Sequence, residues 1–205
     1  MSGPDLSALV SARLCHDLIS PMGAIGNGLE LLQLARGPGA DELSLINDSL
    51  ATALAKLRFF RVAFGPADHQ VRQSLDEAAQ ITDAMFYGRF SITWQPGDAG
   101  MPRATARLIY LAILCMEKSL PMGGTVKVSV SNGVAGLSVE GKKVAPPAEL
   151  WAHVTDGTPV GELRSDNVQF LLLREHLASS GQHLEVEFSD TGGRIELKAL
   201  SPIPA

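Results

Sequence analysis

The chain has 205 residues, 45% hydrophobic and 19% charged, with a formal net charge of −5; this is the balance of a folded protein large enough to bury a core, not of a disordered one. Its Lys and Arg residues form no basic run, which disfavours direct nucleic-acid binding, and the longest apolar run, Leu108 to Met116, is too short to span a bilayer. No signal-peptide pattern marks Met1, and two distant cysteines, Cys15 and Cys115, suit a reducing compartment, so the expected location is the cytoplasm, away from membranes.

In chain order, Asp5 is a plausible N-cap for a long helix running to about Ala35. Leu14, Leu18, Met22, Ile25, Leu29 and Leu32 recur three and four apart on one face, while Arg13, His16, Ser20, Gly23, Asn27 and Glu30 fall on the opposite, solvent-directed face. Pro21 sits inside this pattern, where it removes a backbone hydrogen bond and bends a helix. Arg36-Gly37-Pro38-Gly39-Ala40 ends the helix and Asp41 can cap the next, whose seam is Leu43, Ile46, Leu50, Ala53, Leu57, Phe60 and Phe64. So short a link makes an antiparallel hairpin. A second copy of the hairpin would cover its apolar stripes in a twofold four-helix bundle; the alternative is that they pack on the rest of their own chain.

Gly65-Pro66 marks a boundary, dividing the chain into a hairpin, 1–65, and a mixed α/β domain, 66–205. The spacing there predicts a helix over Val71–Tyr87, a strand over Phe90–Trp94 and a largely apolar helix over Pro102–Ser119. Strands over Thr125–Ser131 and Gly136–Glu140 follow, then helices over Pro146–His153 and Asn167–Ser180, the latter ending at Gly181. Two last strands, His183–Phe188 and Arg194–Leu200, flank the turn Asp190-Thr-Gly-Gly193. Helices on one side of a sheet give a two-layer α+β domain.

The run His16-Asp17-Leu18-Ile19-Ser20-Pro21-Met22 resembles the H-box of two-component histidine kinases. The longer stretch from Ala12 through Asn27-Gly28-Leu29-Glu30 is similar to the ChpT family of alphaproteobacterial histidine phosphotransferases. That resemblance implies a phosphorylatable His16 on a dimeric hairpin, which exchanges phosphoryl groups with receiver domains. It also implies that the second domain is like the Bergerat ATP-binding domain of histidine kinases.

Against that kinase pattern, Cys115-Met-Glu-Lys-Ser-Leu-Pro-Met-Gly-Gly-Thr-Val126 keeps Lys118, Pro121, Gly123, Gly124 and Thr125 but has Cys115 where a magnesium-holding asparagine is expected. Glu140-Gly-Lys-Lys-Val-Ala-Pro-Pro147 lacks the adenine-reading aspartate and the second glycine. Ser165-Asp-Asn-Val-Gln-Phe170 stands where a glycine-rich phosphate cradle would open the last helix, and its side chains obstruct close backbone approach. The resemblance therefore implies a degenerate ATPase-like domain with no cofactor of its own.

A neutral imidazole is nucleophilic near physiological pH, and phosphoryl transfer needs in-line positioning and charge neutralisation more than elaborate side-chain chemistry. In the family picture His16 takes the phosphoryl group from the aspartate of one receiver, that of a hybrid histidine kinase, and donates it to a response-regulator receiver. Those regulators would control the cell cycle, and the receiver would bring the Mg2+. Asp17 can accept a hydrogen bond from the imidazole or act as base; a solvated carboxylate is the alternative. Ser20 and Asn27 share the face of His16 and are candidate receiver contacts, as is Arg13, one turn before it, by steadying phosphate charge. Cys15 and His16 diverge by about 100° on a helix, so they do not form a nucleophile–base pair. His69, His153, His176 and His183 share no metal-ligand spacing. Two competing readings are a divergent autophosphorylating kinase, which would label His16 from nucleotide, and a non-catalytic adaptor that docks response regulators, which would tolerate His16→Ala.

Overall fold

The computed structural model describes residues 5–34, 39–67, 70–88, 90–97, 100–131 and 134–199. The sequence-based helix end at Arg36-Gly37-Pro38 and His69 lie outside the described residues. Helix α1 (Leu6–Leu34) and helix α2 (Ala40–Ala63) pack against each other as a hairpin. Asp5 caps α1 as expected, its Oδ1 accepting from the Ala8 amide at 3.2 Å. Gly39, not Asp41, is the N-cap of α2; Asp41 instead lies in the first turn, where a carboxylate faces the positive end of the helix dipole. The two helices pack tightly at Gly28, where a Cβ would lie 2.6 Å from Ile46 Cγ1.

Beyond the hairpin come β1 (Arg72–Gln73), α3 (Leu75–Phe86), β2 (Ser91–Trp94), β3 (Met101–Pro102), α4 (Arg103–Ser119), β4 (Thr125–Ser131), β5 (Val134–Glu140), α5 (Ala148–Asp156), α6 (Val168–Ser180), β6 (Gln182–Phe188) and β7 (Gly192–Ala199). Helix α3 starts at Leu75, later than the pattern predicts, because Ser74 caps it, accepting from the Glu77 amide at 3.1 Å. The residues ahead of it pair instead with β3 in a two-residue antiparallel ladder.

The main sheet has the order β2-β4-β5-β7-β6, with β2 parallel to β4 across the α4 crossover and every other pair antiparallel. Period-2 alternation sends one set of side chains inward, and the register stacks them: Val126 faces Val139, Val128 faces Leu137, and Leu137 faces Ile195. Helix α4 lies at the centre of the core and is buried at every position from Leu108 to Met116. That is the apolar run of the sequence, wrapped by protein on all sides. No helix among the described residues is long and apolar enough to cross a membrane.

The core does not stop at the domain boundary. Phe59, Phe60, Val62 and Ala63 of α2 belong to it, and Leu6, Leu9, Val10 and Leu14 of α1 pack against it. The base of the hairpin is therefore rooted in its own α/β domain, as the alternative reading of the seam has it. Farther up, the heptad seam splits. Ala53 is buried and Ile46 half-buried, whereas Leu43, Leu50 and Leu57, each seven residues on, are 51%, 45% and 47% exposed. Met22 and Leu29 of α1 are exposed as well.

Candidate phosphotransfer site

His16 lies in the third turn of α1 with its side chain 83% exposed. It stands at the mouth of a cleft of ≈ 570 Å³ between the hairpin and the α/β domain, lined by Arg13, Asp17, Glu117, Lys118, Arg164, Ser165 and Asp166 besides His16 itself. His16 Nδ1 and Asp17 Oδ1 are 3.0 Å apart. In the tautomer that carries its proton on Nδ1, the ring donates to the carboxylate and the Nε2 lone pair is left free.

Asp17 is held from two directions. Its other oxygen, Oδ2, accepts from Arg13 Nε at 2.7 Å, an i,i+4 pair along α1. Its backbone carbonyl accepts from Lys56 Nζ of α2, also at 2.7 Å. The proline four residues on accounts for that second bond. Pro21 has no N–H to return to the Asp17 carbonyl, and its ring crowds that oxygen out of the helical ladder. The oxygen thus freed takes its proton donor from the neighbouring helix. The break that Pro21 makes in the helix is filled by a cross-hairpin bond at the histidine.

Arg13 departs from the expectation of a solvent-facing residue: it is 9% exposed. The α/β domain covers α1 on this side, and a 60° turn around the helix separates Arg13, under that cover, from His16, outside it. Besides Asp17, the guanidinium reaches Glu117 Oε2 of α4 at 3.7 Å and donates from Nη1 to the Asp166 carbonyl at 3.4 Å. Ser20 and Asn27 are exposed on α1 beyond His16 and do not line the cleft.

On the far wall, Lys118 Nζ donates to Asp166 Oδ2 at 2.7 Å, and Arg164 Nε lies 3.4 Å from Asp166 Oδ1. The bond from Lys118 is the main cause that holds the Asp166 carboxyl below the usual carboxylate range. The cleft is thus lined by three cations, Arg13, Lys118 and Arg164, and three carboxylates, Asp17, Glu117 and Asp166. Charge is balanced within it, with no surplus cation reserved for an incoming dianion.

The segments aligned with kinase nucleotide boxes are occupied differently. Cys115 is fully buried in α4, and that burial pushes its thiol well up. Before α6, the Asn167 side chain accepts from the Arg164 amide at 2.8 Å and donates to the Glu162 carbonyl at 3.1 Å, while Gln169 donates to the Asp166 carbonyl at 3.1 Å. Side chains thus fill the turn that a glycine-rich cradle would leave open. Among the described residues no group of three or more His, Cys, Asp or Glu is placed to hold a metal ion.

Residues 75–192 match the histidine phosphotransferase C-terminal domain family. The chain belongs to the ChpT-type histidine phosphotransferases. It is 30% identical over 175 residues to the protein phosphotransferase ChpT of Brucella abortus (strain 2308), covering 82% of this chain and 83% of that protein. A solved structure of a bacterial phosphotransferase superposes with a TM-score of 0.81 at 26% identity, covering 97% of this chain and 98% of the other. Membership makes the protein a histidine phosphotransferase of a phosphorelay, on a helical hairpin joined to a two-layer α/β domain.

Sequence reasoning singles out Arg13, His16 and Asp17, which the structure brings together at one cleft, but not Lys56, Glu117 or Asp166, which hold them there. Proline at the fourth position after Asp17 signals a free carbonyl, but not which residue takes it. Glu117 and Asp166 lie more than a hundred residues from Arg13, and local spacing carries no trace of them.

Proposed function

We propose that His16 is the phosphoacceptor, and that the protein relays phosphoryl groups in the cytoplasm between the receiver of a hybrid histidine kinase and the receivers of response regulators, without using ATP. The observation that carries this reading is the exposed imidazole whose Nδ1 is engaged by a fixed carboxylate, in a protein of this family. In the forward step the Nε2 lone pair attacks phosphorus. The N–P bond forms as the P–O bond to the receiver aspartate breaks, and the electron pair leaves with the aspartate as a free carboxylate. The ring then carries a positive charge, with the Nδ1–H still directed at Asp17, whose negative charge stabilises it. Donation to a second receiver is the same step reversed.

The charge-balanced cleft supports the expectation that the docked receiver supplies Mg2+ for the transferring group. Ser20 and Asn27, exposed on the histidine's side of α1, are the proposed receiver contacts. The exposed leucine stripe supports a homodimer in which two hairpins form a four-helix bundle. Burial of Cys115 and the side-chain-filled turn before α6 favour a relay over an autophosphorylating kinase. Incubation with a phosphorylated receiver domain tests the proposal: the wild-type chain should acquire an acid-labile, base-stable phosphoryl group, and His16→Gln should acquire none. A His16→Gln chain labelled like the wild type would refute it.

A further inference from the structure

We propose that Arg13 is a positioning residue through which the α/β domain sets the orientation of the phosphoacceptor. This rests on His16 being that acceptor.

The guanidinium divides its donors among three elements. Nε holds Asp17 Oδ2 on α1 at 2.7 Å, Nη1 holds the Asp166 carbonyl ahead of α6 at 3.4 Å, and Nη2 faces Glu117 of α4 at 3.7 Å. A rigid planar fork spreads its donors over partners on three separate elements, whereas a lysine gathers all of its donors on a single nitrogen. The Arg13, Asp17 and Glu117 side chains are only 11%, 13% and 13% exposed, so the network is shielded from water and its geometry is fixed by packing. With Oδ2 committed to Arg13, the second oxygen, Oδ1, is turned to His16 Nδ1 at 3.0 Å. A carboxylate held in this way fixes both the tautomer and the ring plane of the imidazole, and with them the direction of the Nε2 lone pair. Without Arg13, Asp17 can rotate, and the ring loses its fixed bearing. The α/β domain thereby acquires a part in phosphotransfer that requires no nucleotide: it anchors the arginine that aims the histidine.

The test is phosphoryl transfer from a phosphorylated receiver to the full chain carrying Arg13→Gln, followed as a function of receiver concentration. We expect kcat to fall about tenfold or more, as small misplacements of reacting groups do, while KM stays within about twofold, since Arg13 acts on His16 and not on the receiver. In parallel, 15N shifts of the neutral His16 ring should move from the Nδ1–H tautomer toward the distribution of an unrestrained histidine. Glu117→Gln leaves the Arg13–Asp17 pair in place and loosens the arginine's anchor on α4, so it should move both readouts in the same direction by less. Normal kcat and an unchanged tautomer in Arg13→Gln would overturn the positioning role, as would a rise in KM alone, which would make Arg13 a receiver contact. Absence of label on His16 in the wild-type chain would instead overturn the reading of His16 itself.

Discussion

On the far wall of the cleft, beside Arg164, Lys118 pairs with Asp166; the two side chains are 38% and 46% exposed. The Asp166 carboxyl is held below its usual range in the folded state, so this pair adds stability only where Asp166 is ionised. Its contribution is fully present above the unfolded aspartate pKa and is lost as pH falls through the lower, folded value. Solvent screening limits its size to about 1 kcal/mol or less. Denaturant melts of Lys118→Gln against wild type should therefore differ by that amount at neutral pH and converge under acid conditions. A difference that persists or grows in acid would mean that Lys118 stabilises the wall by some other contact.

At the scale of the helices, Pro21 and Lys56 form one device. The proline frees the Asp17 carbonyl and the lysine of the other helix takes it, at 2.7 Å. Pro21→Ala would restore a helical amide for that oxygen and make Lys56 redundant. Lys56→Met should thus destabilise the wild-type hairpin by about 1 kcal/mol and the Pro21→Ala hairpin by clearly less, a coupling that a double-mutant cycle in urea would read. Additive effects would show that Lys56 does not replace the missing bond.

The same device shows what the sequence exposes and what it hides. Heptad spacing delineates both helices of the hairpin, alternation delineates the strands of the main sheet, and the His-Asp pair with its downstream proline marks the candidate site. Each of these is a local, periodic signal. The β1–β3 ladder is too short to show a period. The burial of Arg13 follows from a domain that folds over α1 from far along the chain, and a helical wheel cannot register such a cover. The split of the α2 seam is legible only once the base of the hairpin is seen rooted in the α/β core.

On the scale of the whole molecule, that split separates two roles of one hairpin. Phe59 and Phe60 fix its base to the α/β domain, which holds Arg13 in register with His16, while Leu43, Leu50 and Leu57 remain exposed farther up. An apolar row of this kind on a two-helix hairpin suits a second copy of itself. Leu50→Glu is expected to convert a dimer into a folded monomer, with light scattering showing half the mass and circular dichroism nearly unchanged. A wild-type chain already monomeric at micromolar concentration would contradict the bundle.

The central claim, relay through His16 without ATP, is tested most directly by locating the phosphoryl group by mass spectrometry in two parallel reactions, one with a phosphorylated receiver and one with ATP and Mg2+ alone. The account predicts modification at His16 in the first and none in the second. Phosphorylation from ATP alone, or a phosphoryl group from the receiver on any residue other than His16, would contradict it.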